Sequence, residues 1–320
     1  MDNNPQFIDD ARVFVNPAFG CDSACSFCYL DSLGFTRLEP STKSGEDIKK
    51  SLLANPQFIP GKTGTIISLS PDTESFAERI VPITLDYIRS LSKLQNPMQI
   101  ATKRQLDKTL ANQIIGSLAY PDQLTVFVSS SSITYHHVFE KQTAAPTKRF
   151  ETFSACRSAG LPVCLFIKPV IPNITIIDVE KYVTVINEYS VPYCCIGEFY
   201  ADSRMLLRLN VILKSLGKPE IEDHVGKYTS PFSDKLYQIK DLNSDNDLTE
   251  SFLQVENYIR GKTSTRLHRT STCVVSDVLH ISSVGKKWIN YPHLCVKCQD
   301  CEGMSRALPA SSLKIIKPVS

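Results

Sequence analysis

Short apolar segments alternate with amphipathic ones over the first 200 residues, and this pattern limits the fold more than any other feature of the sequence. The apolar segments are hydrophobic almost throughout, which is typical of strands buried on both faces of a parallel sheet. Amphipathic segments between them supply the crossover helices that parallel pairing requires. We predict six parallel strands, within residues 12–18, 63–70, 98–103, 124–132, 162–172 and 192–200.

The intervening segments predict helices with apolar residues at helical spacing. One of them stops at Gly160, because glycine readily takes the left-handed conformation that ends helices. Both a barrel-like sheet and an open, doubly wound sheet satisfy the alternation. The predicted helices lie within residues 77–94, 105–118, 147–160 and 178–190.

The chain changes character near residue 217, where a polar stretch rich in turn-forming residues begins. We therefore predict a core over residues 1–216 and a smaller, cysteine-rich C-terminal extension over residues 217–320. Within the extension, a helix is expected from Asp247 to about Arg260. Glu250, three residues after Asp247, would complete a capping box.

Composition argues against two classes of protein. The net charge of +2 gives no sign of a strongly basic nucleic-acid-binding surface. No run of 18 or more apolar residues is present, so no membrane span is expected. The N-terminal sequence lacks the apolar core of a signal peptide, and we expect a cytoplasmic protein.

Three of the eleven cysteines form a CxxxCxxC motif directly after the first predicted strand: Cys21, Cys25 and Cys28. In a reducing compartment, clustered cysteines indicate metal rather than disulfides. Three thiolates can hold three irons of a [4Fe–4S] cluster and leave the fourth iron open for chemistry. The alternatives are half of a zinc site, a chance cluster and buried apolar cysteines, although zinc sites usually pair two CxxC motifs.

A second group of cysteines lies near the C-terminus and has the CxxCxxC spacing of iron–sulfur ligands. We expect a second, auxiliary [4Fe–4S] cluster there. Zinc, with His280 or His293 as a further ligand, and uncoordinated thiols are the alternatives. The candidate ligands are Cys273, Cys295, Cys298 and Cys301.

The first motif, with aromatic Phe27 before its last cysteine, resembles the signature of the radical S-adenosylmethionine (SAM) superfamily. Further segments resemble the spore photoproduct lyase-like branch, although the GGE-like run common in the superfamily is missing. The resemblance spans about residues 12–200 and implies a partial (β/α)6 TIM-type barrel, with SAM and substrate at the carboxyl ends of the strands. The segments are NPAFGCDSACSFCYL (16–30), SLSPDTESF (68–76), ATKRQL (101–106) and the stretch 145–173.

The resemblance implies reductive cleavage of SAM at the open cluster to a 5′-deoxyadenosyl radical, which takes hydrogen from a small-molecule, nucleotide or peptide substrate. An external reductant such as flavodoxin or ferredoxin is expected. A nucleobase repair or modification enzyme acting on DNA or RNA is one alternative, supported only by the basic runs 103–108 and 260–269. A non-enzymatic metal-binding module is the other.

Polar residues at the predicted strand ends are the candidates for cofactor and substrate contacts. A carboxylate such as Asp72 or Glu74 can accept hydrogen bonds from the SAM amino group. Cys164, or Cys194, could return a hydrogen atom to substrate, with an inert core cysteine as the alternative for both. A charge at Lys168 is costly without a partner such as a carboxylate or phosphate. The predicted cofactor contacts are Phe27, Ser70, Asp72, Glu74, Thr102, Lys103, Ser129 and Ser131, and the predicted catalytic residues are Cys164, Lys168 and Glu198.

Overall fold

The computed structural model describes residues 4–9, 12–35, 37–230, 233–240 and 248–281. The strands are β1 (Gln6–Asp9), β2 (Arg12–Val15), β3 (Ala18–Phe19), β4 (Glu39–Pro40), β5 (Ile66–Leu69), β6 (Met98–Thr102), β7 (Leu124–Ser129), β8 (Val163–Ile167), β9 (Tyr193–Ile196), β10 (Tyr200–Ala201), β11 (Val225–Ser230), β12 (Ser233–Ile239) and β13 (Arg266–His268). The helices are α1 (Gly45–Leu53), α2 (Val81–Ser92), α3 (Lys108–Ile115), α4 (His136–Phe139), α5 (Pro146–Ala159), α6 (Val179–Glu188), α7 (Ser203–Ser215), α8 (Glu250–Lys262) and α9 (Ser271–Leu279).

Within the described residues, the main sheet has eight strands in the order β1-β2-β5-β6-β7-β8-β9-β13. Strands β2 to β13 in this order are parallel, and β1 is an antiparallel edge strand. The six predicted strands are confirmed as β2 and β5 to β9. The seventh parallel strand, β13, was not predicted, since three residues are too few to show an alternation.

One face of the main sheet is covered by helices. Val126 and Leu165, from neighbouring strands, share a hydrophobic core with Ile88 of α2, Phe153 of α5 and Ile259 of α8. Burying such side chains stabilises the fold by about 1.5–3 kcal/mol each. The predicted crossover helices are therefore confirmed as the layer that makes this face apolar.

The opposite face, which we call the inner face, carries Arg12, Ser68, Gln99, Phe127 and Phe166. Successive strand residues point to opposite faces, so these side chains alternate with those of the helix-covered face. Helix α9 packs against the lower part of the inner face through apolar residues that contact Phe127. Above α9, the inner face is open to a cavity.

A small second sheet, in the order β10-β12-β11, lies with α7 beside this cavity. Phe199, Met205 and Leu236 form a separate core that also includes Phe27 of the cysteine loop. The polar, turn-rich stretch of the sequence therefore forms part of the cavity wall, which the sequence did not predict.

The helix boundaries agree with the prediction at one end of α5 and differ from it at α8. Gly160 takes a positive φ of 78° at the end of α5, as expected. Helix α8 begins at Glu250 and its N-cap is Thr249, whose side chain accepts from the Phe252 amide, so the predicted start and capping box were wrong. Asp247 itself lies outside the described residues. Threonine is one of the favoured N-cap residues, and Thr249 lies closer to the first apolar residue of α8 than Asp247 does.

The boundary predicted at residue 216 remains a prediction, but α8, β13 and α9 all follow it in sequence and pack on the main sheet. Among the described residues, no helix has both the length and the apolar character needed to cross a membrane.

Candidate active site at the carboxyl ends of the strands

A cavity of about 280 Å³ lies where the parallel strands of the main sheet end. Its wall is built from the inner face of the sheet, the loop that carries the first cysteine motif, and the small second sheet. Carboxyl ends of parallel strands are the usual place for active sites in such folds. The cavity is therefore the candidate site, and the predicted residues can be placed relative to it.

All three cysteines of the first motif, Cys21, Cys25 and Cys28, lie on the cavity wall and are partly exposed. The loop that carries them is paired with the segment after α4. Cys25 forms an isolated antiparallel bridge with Glu140. The amide of Ser26 donates to the Phe139 carbonyl at 3.0 Å. The protein's own backbone thus holds the loop against the cavity.

A second element, α7, also holds the cysteine loop. The Arg208 guanidinium donates to the carbonyl of Ser26 at 2.6 Å and to that of Cys28 at 3.2 Å. It also forms an ion pair with Asp31 at 2.9 Å. Carbonyls of the cysteine loop are therefore bound by α7, and the three cysteines of the same loop line the cavity.

The three thiols lie close enough to influence one another's ionisation. The pKa of Cys28 is raised to about 11, chiefly by burial and in smaller part by the nearby Cys21, against a lowering hydrogen bond from the Leu30 amide. Burial likewise raises the pKa of Cys25 far above its usual value, with Cys21 and Cys28 among the smaller contributors. Thiolates at this position require a compensating positive charge, which a metal would supply if it were bound.

The donor set, three cysteine thiols on one cavity wall, is of the kind that a [4Fe–4S] cluster uses. Within the described part of the chain, no three His, Cys, Asp or Glu side chains are close enough to hold one metal ion. A cube spreads its cysteine ligands over different irons, so its sulfurs lie farther apart. Three thiols that share one cavity wall match that arrangement.

Asp72 was predicted to bind the cofactor, but it lies behind the cavity wall and supports the cysteine loop. Its carboxylate accepts hydrogen bonds from Tyr29 Oη and Asn16 Nδ2, both at 2.9 Å. Tyr29 Oη also lies 2.7 Å from the Pro71 carbonyl. Burial raises the pKa of Asp72, and the hydrogen bonds from Tyr29 and Asn16 lower it by less. This residue therefore positions Tyr29, directly after the last cysteine of the motif.

Glu74 and Thr102 lie together on the cavity wall. The Glu74 carboxylate accepts from the Thr102 hydroxyl, from the Lys103 amide at 2.9 Å and from the Phe76 amide at 3.2 Å. These contacts join the ends of β5 and β6. Both predicted residues thus face the cavity, and Glu74 is already held by three donors from the protein.

Lys103 is a basic group close enough to the thiols of the cysteine loop to lower the pKa of Cys25 and of Cys28. Its Nζ donates to Ser129 Oγ at 3.0 Å and lies 5.6 Å from the centroid of the Phe27 ring. Burial lowers the pKa of Lys103, but Cys25 and Glu140 raise it by more, so the net shift is upward. A permanent positive charge therefore lies beside the thiols, and Lys103, Ser129 and Phe27 all line the cavity.

Ser70 and Ser131, both predicted cofactor contacts, differ in position. Ser70 lines the cavity with a positive φ of 60°, and its hydroxyl is buried without a hydrogen-bond partner among the described residues. Ser131 is fully buried and is not part of the cavity wall. Its amide donates to Glu140 and its carbonyl accepts from Thr175. Ser70 is thus available to a ligand, whereas Ser131 is part of the supporting structure.

Lys168 and Glu198 both line the cavity, as the strand-end argument predicted. Burial lowers the pKa of Lys168 below its usual value. The Glu198 carboxylate accepts from the amides of Thr249 and Phe199 at 3.2 and 3.3 Å. Glu198 therefore ties the start of α8 to the end of β9.

The candidate hydrogen donors lie away from the cavity. Cys164 is fully buried between the sheet and α9, beside Val274 and Cys195. Cys194 points to the helix-covered face and belongs to its core. Cys164 precedes Lys168 by four residues, or about 13 Å along a strand, which places it far below the opening. The alternative of inert core cysteines fits both positions.

Of the second cysteine group, only Cys273 falls within the described residues. It lies in the first turn of α9, where its amide donates to Thr270 Oγ1 at 3.2 Å. Cys295, Cys298 and Cys301, together with His293, lie outside the described residues. Within the described part, His280 ends α9 with a φ of 50°. The auxiliary cluster therefore remains a prediction.

Several residues on the cavity wall were not singled out from the sequence, among them Arg12, Gln99 and Ser271. The alternation of strand side chains could have placed Arg12 and Gln99 on the same face as Ser68. Nothing in the sequence placed Ser271 there, because the packing of α9 on the inner face is a tertiary contact.

The described fold is an α/β fold with a parallel main sheet, and it is shared with solved structures. It matches spore photoproduct lyase complexed with dinucleoside spore photoproduct (TM-score 0.56, 13% identity, covering 78% of this chain and 74% of that one). It also matches a double mutant of that lyase with bound AdoMet and dinucleoside spore photoproduct (TM-score 0.58, 12% identity, covering 81% and 76%). SuiB of Streptococcus suis bound to S-adenosylmethionine gives a TM-score of 0.45 at 13% identity, covering 63% of this chain and 47% of that one.

The comparison by sequence gives a different result. No protein-family model matches this chain, and no curated protein matches it. The shared property is therefore the fold.

Proposed function

We propose that this protein is a radical SAM enzyme whose [4Fe–4S] cluster is held by Cys21, Cys25 and Cys28. The single observation that carries the proposal is that these three thiols line one cavity at the carboxyl ends of the parallel strands. A structure of the same fold contains bound AdoMet, which supports the choice of cofactor. In this proposal the main sheet is the partial (β/α)6 barrel of that superfamily.

When bound, the cluster supplies the electron that cleaves SAM to a 5′-deoxyadenosyl radical, which takes hydrogen from a substrate. The chain's own residues hold and orient the cofactor. Lys103 and Ser129 present a cation and a hydroxyl beside the cysteine loop, suited to the SAM carboxylate or ribose. Ser70 offers a buried hydroxyl with no partner among the described residues. Glu74 keeps β5 and β6 in register at the cavity through Thr102.

Lys168 and Glu198 are the proposed substrate-side groups, since both lie on the cavity wall at the ends of the next two strands. The substrate is a small molecule, nucleotide or peptide. An external reductant such as flavodoxin or ferredoxin is required, because the open cluster must be reduced before each cleavage. The auxiliary cluster at Cys295, Cys298 and Cys301 with Cys273 is part of the proposal, with electron transfer from the substrate radical as its role.

Iron content and SAM cleavage test the proposal together. The full chain is reconstituted anaerobically with iron and sulfide, and 5′-deoxyadenosine is measured after addition of SAM and dithionite. The Cys21/Cys25/Cys28→Ala variant is expected to lose about four irons and all 5′-deoxyadenosine formation. Cys156→Ala, which removes a buried thiol of α5, is the matched control and should retain both.

The C-terminal cysteines are tested in the same assay. The Cys295/Cys298/Cys301→Ala variant is expected to lose about four of about eight irons and to keep 5′-deoxyadenosine formation without substrate. Zinc in place of iron at this site would remove the proposed electron-transfer role. Wild-type protein that binds no cluster and cleaves no SAM would refute the whole proposal.

A further inference from the structure

The outward side of helix α7 carries neighbouring apolar side chains. Leu207 and Val211 are 70% and 65% exposed, which makes them the two most exposed large apolar side chains among the described residues. They lie one turn apart and are therefore neighbours on the helix surface. Single exposed apolar residues are ordinary, but an adjacent pair of this size indicates a contact surface.

A basic residue lies at each end of this apolar pair. Arg204 precedes Leu207 by three residues and Lys214 follows Val211 by three, which places all four on one face of the helix. Both basic side chains are exposed, and neither forms an ion pair within the described part of the chain. We call Arg204, Leu207, Val211 and Lys214 the outer face of α7.

The charge of α7 has one sign. Between its first and last residues the helix has three basic side chains, Arg204, Arg208 and Lys214, and no acidic one. Two acidic residues close to the helix are already used, since Asp202 is its N-cap and Asp31 is paired with Arg208 at 2.9 Å. The outer face therefore has positive potential and fits a partner with an acidic surface.

An acidic stretch of the chain, residues 220–223, borders α7 on a different side. The Asn210 side chain exchanges two hydrogen bonds of 2.8 Å with the backbone of Ile221. Asn210 and Arg208 are two residues apart, so their side chains lie on different sides of the helix. The acidic stretch would repel the same acidic partner, which limits the contact to the outer face.

Helix α7 also connects the outside of the molecule to the cysteine loop. On its buried side, Met205 lines the cavity and shares a core with Phe27. At the edge of the outer face, Arg208 donates to the carbonyls of Ser26 and Cys28 at 2.6 and 3.2 Å. A protein docked on the outer face is therefore separated from the cysteine loop by this helix alone.

This position suits the delivery of electrons. In the proposed function, SAM and substrate occupy the cavity, so a protein that supplies electrons must approach the cluster from another side. Each SAM cleavage consumes one electron, and the partner that supplies it is oxidised by one electron. The outer face lies outside the cavity wall, so a partner can dock there while the cavity stays filled.

We propose that the outer face of α7 is the docking surface for the external reductant, an acidic electron-transfer protein of the flavodoxin or ferredoxin class. Calling the partner a reductant rests on the proposed function. The docking surface deepens that proposal, because it states where the electron enters. Leu207 and Val211 supply the apolar contact, and Arg204 and Lys214 steer and orient the partner.

Binding of the two kinds of donor tests the surface without turnover. The cluster-loaded full chain is titrated anaerobically by calorimetry with oxidised flavodoxin and, separately, with oxidised ferredoxin. At least one is expected to bind with 1:1 stoichiometry, and to bind more weakly as salt is raised, because exposed charges are screened. Arg204→Glu/Lys214→Glu should weaken that binding about tenfold or more. Lys108→Glu/Lys148→Glu, at exposed lysines of α3 and α5, is the matched control and should stay within about twofold of wild type.

The apolar contact is tested by a second pair of substitutions. Leu207→Ser/Val211→Ser should weaken donor binding about tenfold, whereas Leu53→Ser, at a 54% exposed leucine of α1, should not. The outer-face variants should melt with wild type, because the altered side chains are exposed. A lower melting temperature would show that the chain itself covers this face and would overturn the proposal. A wild-type dimer that Leu207→Ser/Val211→Ser dissociates would assign the face to a second copy and would overturn it too.

Electron delivery is measured with two reductants. Dithionite is small and needs no docking surface, so Arg204→Glu/Lys214→Glu should form 5′-deoxyadenosine with it at the wild-type rate. With a limiting concentration of the donor protein that binds, kept reduced by its own reductase, the rate should fall about tenfold. Equal rates for the variant and wild type under this second condition would refute the docking surface.

The two proposals fail separately. Donor binding that depends on the outer face, in a protein that cleaves no SAM with dithionite, would refute the proposed function and keep the docking surface. SAM cleavage with dithionite, in a protein that binds neither donor or binds one equally well after Arg204→Glu/Lys214→Glu, would refute only the docking surface.

Discussion

Replacing Arg149 by methionine is expected to destabilise the protein and the cysteine loop together. Arg149 and Glu140 are both fully buried and form an ion pair at 2.7 Å. Arg149 also donates to the carbonyl of Ser129, to the Thr143 hydroxyl and to the carbonyl of Ala144. The Arg149→Met variant therefore leaves a buried carboxylate and three acceptors without their donor.

The cost follows from the burial of this pair. Removing one partner of a buried ion pair costs about 3–5 kcal/mol. An entropy of unfolding of about 2.1 cal/mol/K per residue gives about 0.7 kcal/mol/K for a chain of 320 residues. The melting temperature of Arg149→Met should fall by about 4–8 °C in a calorimetric scan. The backbone of Glu140 forms a β-bridge with that of Cys25, so the iron content after reconstitution should fall as well.

Two further variants make this prediction refutable. Arg157→Met lies on the same helix α5 at an exposed site, where the guanidinium makes a long contact of 3.4 Å to the Ser190 carbonyl, and it should melt within about 1 °C of wild type. Adding Glu140→Gln to Arg149→Met removes the unpaired charge and should recover part of the loss. A melting temperature unchanged by Arg149→Met, or a double variant that loses the sum of both single effects, would contradict the reasoning.

Four other substitutions test local contacts of the fold by thermal unfolding. Tyr29→Phe removes a hydroxyl shared by a buried carboxylate and a carbonyl, and should cost about 1–3 kcal/mol, or about 2–4 °C. Burial raises the pKa of Asp178, but its hydrogen-bond donors lower it by more, so the folded pKa lies below the unfolded one. The ionised carboxylate therefore stabilises the folded state above the unfolded pKa, near 4, and this stabilisation is lost as pH falls through the folded pKa. Asp178→Asn should therefore cost about 1–2 kcal/mol at pH 7, and its melting curve should converge with that of wild type below about pH 4. Gly160→Ala places a Cβ in open space at a positive φ and should lower the free energy of unfolding by about 1 kcal/mol. Gly20→Ala should lower it by about 1–3 kcal/mol more, because its Cβ would meet the Arg37 carbonyl oxygen. Equal losses for the two variants would refute this steric argument.

The strands of the main sheet could be predicted because each is a short, nearly continuous apolar run. The strand-end argument also placed several polar residues on the cavity wall, including Glu74, Lys103 and Lys168. It worked at these positions because parallel strands end at the same edge, whatever the path of the following loop. The small second sheet could not be predicted, since its strands β11 and β12 are largely polar and only partly buried.

The predicted site residues that lie away from the cavity do so for different physical reasons. Asp72 follows Ser70, whose positive φ turns the chain in a direction that no sequence rule anticipates for serine. Ser131 would face the cavity with Ser129 if β7 continued, but the strand ends at Ser129. Cys164 has the right face but the wrong depth, because α9 covers that part of the sheet.

The proposed metal site on the cysteine loop would be held in place by the protein's own tertiary contacts before a metal is bound. Between Ser23 and Cys28, backbone groups are used by the segment 139–142 and by Arg208. The path of the loop is therefore fixed by contacts that need no iron. The described residues supply too little positive charge to keep the thiols ionised. Burial keeps the thiol pKa values high, although the nearby Lys103 lowers them in part. Binding of iron is thus expected to deprotonate the thiols with little change in the loop, so affinity should rise with pH.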